Sequence, residues 1–145
     1  MLRSPGIAAH VQRLGAYIRY ESTLPGNLRE LAILITARFW SAQYEWYAHR
    51  PIALEEGVDA AVIEAIAGRH RPQFSNAAEA AIHDFCFPML ETHEVPDETY
   101  QVALDALGEE QLVDLVSLLG YYSLLAMLMA TFNIPVPGGK VLLKD

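Results

Sequence analysis

The sequence predicts an all-α fold, a compact bundle of about six helices. Three observations predict it. Apolar residues recur at spacings of three and four almost throughout, no stretch of any length alternates with period two, and prolines, glycines and capping residues punctuate the chain at helix-length intervals.

The first helix is signalled by Ile7, Val11, Leu14 and Ile18, which fall on one face. The run Thr23-Leu24-Pro25-Gly26-Asn27 is a turn, and Asn27 is a candidate cap for the next helix. That second helix is expected to run unbroken from about Leu28 to His49, with Leu31, Leu34, Ile35, Ala42 and Trp46 facing inward. Pro51 should end or kink it, because the residue before proline resists the α conformation and the ring removes a hydrogen bond. A short helix follows from Asp59 to Ala67, capped by Asp59. Asn76 opens another, kinked at Pro88, and Pro96-Asp97 begins a fifth that Gly108 stops. The last runs from about Glu109 to Phe132, with acids in its first turn as the helix dipole favours, before an irregular tail rich in Pro and Gly.

At 145 residues the chain is most simply one domain, residues 1–145, long enough to bury a core. Apolar residues make up 52% and charged ones 19%, an excess of core material that points to surface buried between subunits and hence to self-association. The stretch from Leu115 to Phe132 contains Gly120, Tyr121, Tyr122, Ser123 and Thr131, which fits a buried helix better than a membrane span. Met1 to Gly6 lacks the features of a signal peptide, so a cytoplasmic location is the expectation. The net charge of −8 argues against nucleic-acid and anionic-membrane partners. All eight arginines lie between Arg3 and Arg71, whereas the stretch from Pro72 to Gly139 carries ten acids and no Lys or Arg. The acidic stretch reads most simply as a solvated face; the sharper reading is that an anionic substrate would be met by arginines of the first half. Cys86 is the single cysteine, among Phe85, Phe87 and Met89, which excludes an intrachain disulfide and suggests a buried, inert thiol.

Candidate chemistry concentrates on the second helix. On an unbroken helix Arg38, Ala42, Glu45 and His49 share a narrow stripe, and Glu45 and His49, at i and i+4, can touch. A carboxylate beside an imidazole orients the ring, and such a pair exchanges protons near neutral pH. The same spacing is common on solvated helix faces, and that reading stays open. A metal site lacks an evident third ligand. Trp46 continues the apolar face, and Tyr122 on the last helix is expected to form a pocket wall; both are candidate substrate contacts. His10, His70, His83 and His93 have no evident partners and are expected to be structural or surface residues.

The segments Asn27-Leu-Arg-Glu-Leu-Ala-Ile-Leu-Ile-Thr-Ala-Arg38, Tyr44-Glu-Trp-Tyr-Ala-His49 and Pro51-Ile-Ala-Leu-Glu-Glu-Gly57-Val resemble the signature of the carboxymuconolactone decarboxylase superfamily. The resemblance implies an alkylhydroperoxidase D-like helical fold and assembly as a dimer, trimer or hexamer. The peroxidase branch carries Cys-x-x-Cys-x-x-x-His with an upstream glutamate. Aligned on His49, its cysteine positions fall on Ala42 and Glu45 and its glutamate on Glu30. Both thiols are missing, which makes an alkylhydroperoxidase-like antioxidant activity the lesser alternative. The decarboxylase branch is similar in keeping a Glu and a His. It implies a lyase of aromatic-compound catabolism that removes CO2 from a small carboxylated unsaturated lactone without organic cofactor or metal. Its catalytic residues would be His49 and Glu45, and then Glu30, which lies about 100° off the stripe on a straight helix and needs a bend to take part. Arg38 would hold the substrate carboxylate. A non-catalytic member that binds a small ligand is the remaining alternative.

Overall fold

The computed structural model describes residues 4–144, so Met1, Leu2, Arg3 and Asp145, and with them half of the N-terminal segment tested for a signal peptide, lie outside the described residues. The described residues are helical: α1 (Pro5–Tyr20), α2 (Gly26–Phe39), α3 (Gln43–Glu55), α4 (Ala60–Ala67), α5 (Ala77–Glu91) and α6 (Asp97–Thr131), with a single 3-10 turn at Pro137–Gly139. The expected number of helices is present, but they are not the expected six.

α2 is the central element and packs against α3, α4, α5 and α6. Leu28 and every residue from Glu30 to Arg38 are buried, the pattern of a helix enclosed on all sides. It ends at Phe39 and does not continue to His49. Ser41 adopts a left-handed conformation, φ 49°. Its N–H bonds to the Arg38 carbonyl at 3.1 Å, and the Ala42 N–H reaches the Ala37 carbonyl at 2.8 Å. Those two bonds form a Schellman cap, in which glycine is the usual left-handed residue. Here serine fills that place, so the stop carries no glycine signal.

The chain restarts as α3 and turns back along α2. Pro51 lies inside α3, which continues to Glu55, so the predicted break is absent there. The proline withholds a hydrogen bond from the Tyr47 carbonyl. Both residues are exposed, and water can serve that carbonyl instead. Pro88 likewise lies within α5 and does not end it.

The predicted caps are mixed in outcome. Asp59 accepts from the Ala61 N–H at 2.7 Å, and Asn76 accepts from the Ala78 N–H at 2.9 Å, as the sequence indicated. Asn27 does not cap α2. Its side-chain amide instead donates to Glu79 Oε1 at 3.0 Å, joining α2 to α5. In α1 the inward residues are Val11, Gly15 and Ile18, while Ile7 and Leu14, assigned to the same face, are 54% and 42% exposed.

The fifth and sixth predicted helices are the two arms of α6. Gly108, at φ 77° and ψ 169°, is non-helical and sets the angle between them. The second arm buries Leu112, Leu115, Leu118, Leu119, Tyr122 and Ala126 against the bundle. By length and composition α6 is apolar enough to cross a membrane. Its second arm packs that buried stripe against the bundle. Its opposite face exposes Val113, Val116 and Met127. The C-terminal tail returns to the gap between α2 and α3. Gln43 Oε1 accepts from the N–H groups of Leu142 and Leu143, and Gln43 Nε2 donates to the Leu143 carbonyl at 2.7 Å. Leu143 is buried in the core.

Candidate active site

Turning α3 back on α2 brings together two residues nineteen positions apart. His49 Nδ1 and Glu30 Oε2 are 2.7 Å apart in the interior, with 9% and 2% of their side chains exposed. A carboxylate only accepts, so the bond places the hydrogen on Nδ1 and leaves Nε2 as the ring's acceptor. The other Glu30 oxygen lies 3.6 Å from Arg29 Nε, and Arg29 extends to Glu56 at 3.8 Å. The acid is thus held between an imidazole and a guanidinium, an arrangement that gives a buried carboxylate the partners it needs. Arg29 had no distinguishing signal in the sequence, and its reach to Glu56 follows from the turn of the chain.

The order of the two glutamates is therefore reversed. Glu30, which needed a bend to participate, is the residue that orients His49, and the cap at Ser41 supplies the bend. Glu45 sits one turn before His49 as the spacing required, yet makes no hydrogen bond to it. Among the described residues neither Glu45 oxygen has a hydrogen-bond partner, although the residue is only 3% exposed. Burial without a partner disfavours the charged form and pushes its carboxyl up to about 8. Glu45 is thus chiefly a neutral acid at neutral pH, a proton donor on the same helix as the histidine. The solvated-face reading of the pair does not hold, because both side chains point into the protein.

Tyr122 closes the cluster. It is 2% exposed and stands edge-on to His49, with ring centroids 5.1 Å apart. Burial first, and then the Glu30 carboxylate, raises its phenol above the ordinary range. Tyr121 lies edge-on to Tyr122 at 5.2 Å and is raised by burial. Trp46 is buried in the hydrophobic core, as the apolar face of its helix implied. Cys86 is fully buried, and burial pushes its thiol well up, which makes it inert.

Arg38 is not on this stripe. It ends α2, on the far side of the cap, where its guanidinium donates to Ser41 Oγ at 3.1 Å and to the Lys144 carbonyl at 2.6 Å. There it lines a cavity of about 390 Å³ with Ile35, Ile66, Arg69, His83 and Phe87, and none of Glu30, Glu45 and His49 lines that cavity. The concavity and the acid-base cluster are separate features. A buried, unpartnered acid beside an oriented imidazole is costly to keep for packing alone, which marks the cluster as the candidate site. Among the described residues no group of three or more His, Cys, Asp or Glu side chains is arranged to hold a metal ion.

The Glu45 carboxyl makes stability depend on pH. The native state keeps its proton up to about pH 8, whereas an unfolded chain releases it near the ordinary value of ~4.3. Between these values the folded state binds more protons, so stability is fully present below about pH 4 and falls as pH rises toward 8. Denaturant titrations from pH 5 to 8 should show the decline. Glu45→Gln, a neutral isostere, should lose less stability than the wild type over that range, with the difference growing from pH 5 to pH 8. Parallel pH profiles for the two proteins would contradict a buried neutral acid.

Comparison with known proteins agrees with the architecture. The profile of the carboxymuconolactone decarboxylase family matches residues 5–83, which include Glu30, Glu45 and His49. A solved structure from Agrobacterium tumefaciens, of a protein of unknown function suggested to be the antioxidant defence protein AhpD, superposes with a TM-score of 0.80. It shares 17% identity over 93% of each chain, a likeness of fold. A search of curated proteins finds no match. The family profile covers more than half of the sequence and the helical order continues beyond it, so the chain belongs to the carboxymuconolactone decarboxylase family.

Proposed function

We propose that the protein is a cofactor-independent lyase that acts on a small carboxylated, unsaturated lactone or related ring compound. The observation that carries the reading is the buried Glu30–His49 hydrogen bond with neutral Glu45 one turn away. In such a reaction CO2 leaves and its bonding pair stays on the ring. The pair is delocalised through the double bond to the lactone carbonyl oxygen as a dienolate. A proton delivered to the carbon beside that carbonyl completes the double-bond shift. Glu45, being neutral, supplies this proton. His49, its Nδ1–H held by Glu30, takes up a proton from solvent at the bare Nε2 and passes it to the Glu45 carboxylate, which replaces the proton the reaction consumes and resets the site. Tyr122 keeps water from the imidazole face, which strengthens each electrostatic contact.

The antioxidant role suggested for the structural neighbour would require thiol chemistry. In this chain the positions of the paired cysteines carry Ala42 and Glu45, and Cys86 is buried and protonated, which supports the lyase reading over the peroxidase one.

Turnover of 4-carboxymuconolactone, followed by ultraviolet absorbance, tests the reading. His49→Ala and Glu45→Gln should each lower kcat by roughly 10²–10⁴-fold. Glu30→Gln should lower it less, since it acts by orienting His49. Wild-type turnover that persists in all three variants would overturn the assignment of the site. No turnover of this compound or of related carboxylated lactones would reduce the cluster to a structural or ligand-binding one.

We also propose that the protein self-associates through the outer face of α6. Exposed Val113, Val116 and Met127 recur at helical spacing there, around Gly120, and an apolar stripe of this kind is usually covered. Sedimentation should give a homo-oligomer that Val116→Glu weakens. A monomeric wild type at tens of micromolar would contradict it.

A further inference from the structure

The cavity at the end of α2 has a character the acid-base cluster lacks. Its floor is apolar, with Ile35 from α2 and Ile66 from α4. One wall is an aromatic pair on α5, the His83 ring stacked on Phe87 with centroids 5.8 Å apart and 12° between planes. His83 is 7% exposed, while Phe87 is 51% exposed at the mouth. The volume of about 390 Å³ falls within the ~300–1,000 Å³ usual for small-molecule sites.

The charge here runs against that of the protein. In a chain of net charge −8, this cavity is lined by Arg38, Arg69 and Arg71 against only Asp84 and Glu91. Asp84 is already engaged, since Arg71 grips it with two hydrogen bonds of 3.1 and 2.8 Å and holds its carboxyl below the ordinary range. Arg38 and Arg69 converge on one hydroxyl, donating to Ser41 Oγ at 3.1 and 3.3 Å. The shared hydroxyl holds the Arg69 guanidinium at that wall, beside the end of α2.

The backbone is arranged to present these side chains. Arg69, like Ser41, adopts a left-handed conformation, at φ 59°. Its N–H bonds to the Ile66 carbonyl and the His70 N–H bonds to the Ala65 carbonyl, so Arg69 occupies the glycine place of the cap that ends α4. Glycine would close both helices with less strain. Serine and arginine there give the two facing caps side chains that meet at the mouth of the cavity.

We propose that this cavity is a second binding site, for a small organic carboxylate with a flat apolar body. The body lies between Ile35 and Ile66 on one side and the His83–Phe87 pair on the other. The carboxylate accepts a pair of hydrogen bonds from the Arg69 guanidinium, the paired geometry in which guanidinium binds carboxylate best. The site is independent of any chemistry at His49, so each stands or falls separately.

Calorimetry with trans-cinnamate, a flat carboxylate of suitable size, and its neutral analogue trans-cinnamamide tests the proposal, with amide NMR shifts to locate the ligand. Cinnamate should bind at least tenfold more tightly than the amide and shift Ser41, Arg69 and Phe87. Arg69→Gln should abolish the preference for the acid while leaving the amide's affinity unchanged, and Phe87→Ala should weaken both. Equal binding of acid and amide, shifts centred on His49 and Tyr122, or no binding at millimolar ligand would overturn it. So would an oligomer that Phe87→Glu dissociates, which would show that a second copy fills the cavity.

Discussion

A carboxylate and an imidazole buried against each other fix the relation between the two helices on which the bundle is built. Taking a carboxylate out of water is expensive, and leaving one buried partner of such a hydrogen bond unsatisfied typically costs about 1–3 kcal/mol, more for a charged group. Glu30 on α2 and His49 on α3 therefore hold the pitch of the α2–α3 turn to within a hydrogen bond, 2.7 Å. α5 and α6 then pack around α2, with Tyr122 of α6 set edge-on against the imidazole. The hydrophobic core gives the bundle its stability, but this polar contact selects the register of the turn.

The pair exists because the chain breaks at Ser41. On a straight helix Glu30 and His49 would lie on different faces, and Arg38, Glu45 and His49 would share one. The Schellman cap exchanges these partners. It sends Arg38 to the cavity and the C-terminal tail, and it brings His49 to Glu30. Glu45 loses the partner that its spacing promised and becomes a buried, protonated acid. An oriented imidazole beside an uncharged carboxyl is a more capable proton-transfer unit than a hydrogen-bonded Glu–His pair, in which the acid is already engaged.

The helical class, the caps at Asp59 and Asn76, the inward placement of Trp46 and the inert character of Cys86 were legible in the sequence, because each follows from local pattern or from composition. So were Glu45 and His49 as residues on one helix turn. The break was not. The stop after α3 is written with Gly57, at φ 92°, whereas the stop after α2 is written with a serine that resembles any helix residue. Pro51 misled in the other direction, since it lies inside α3 and the helix runs on to Glu55. The family resemblance had placed Glu30 among the functional positions, and straight-helix geometry demoted it. The cationic cavity was foreshadowed only by the crowding of arginines into the first half of the chain, because its members come from three separate helix ends and meet only in the fold.

The most direct test of this account is nitrogen-15 NMR of the His49 ring in the native protein. The hydrogen bond to Glu30 predicts the Nδ1–H tautomer, with a slowly exchanging ring proton that Glu30→Gln makes labile while the other histidines are unaffected. A His49 ring in the Nε2–H tautomer, or one whose proton exchanges equally fast with and without Glu30, would contradict the claim that this buried pair organises the site.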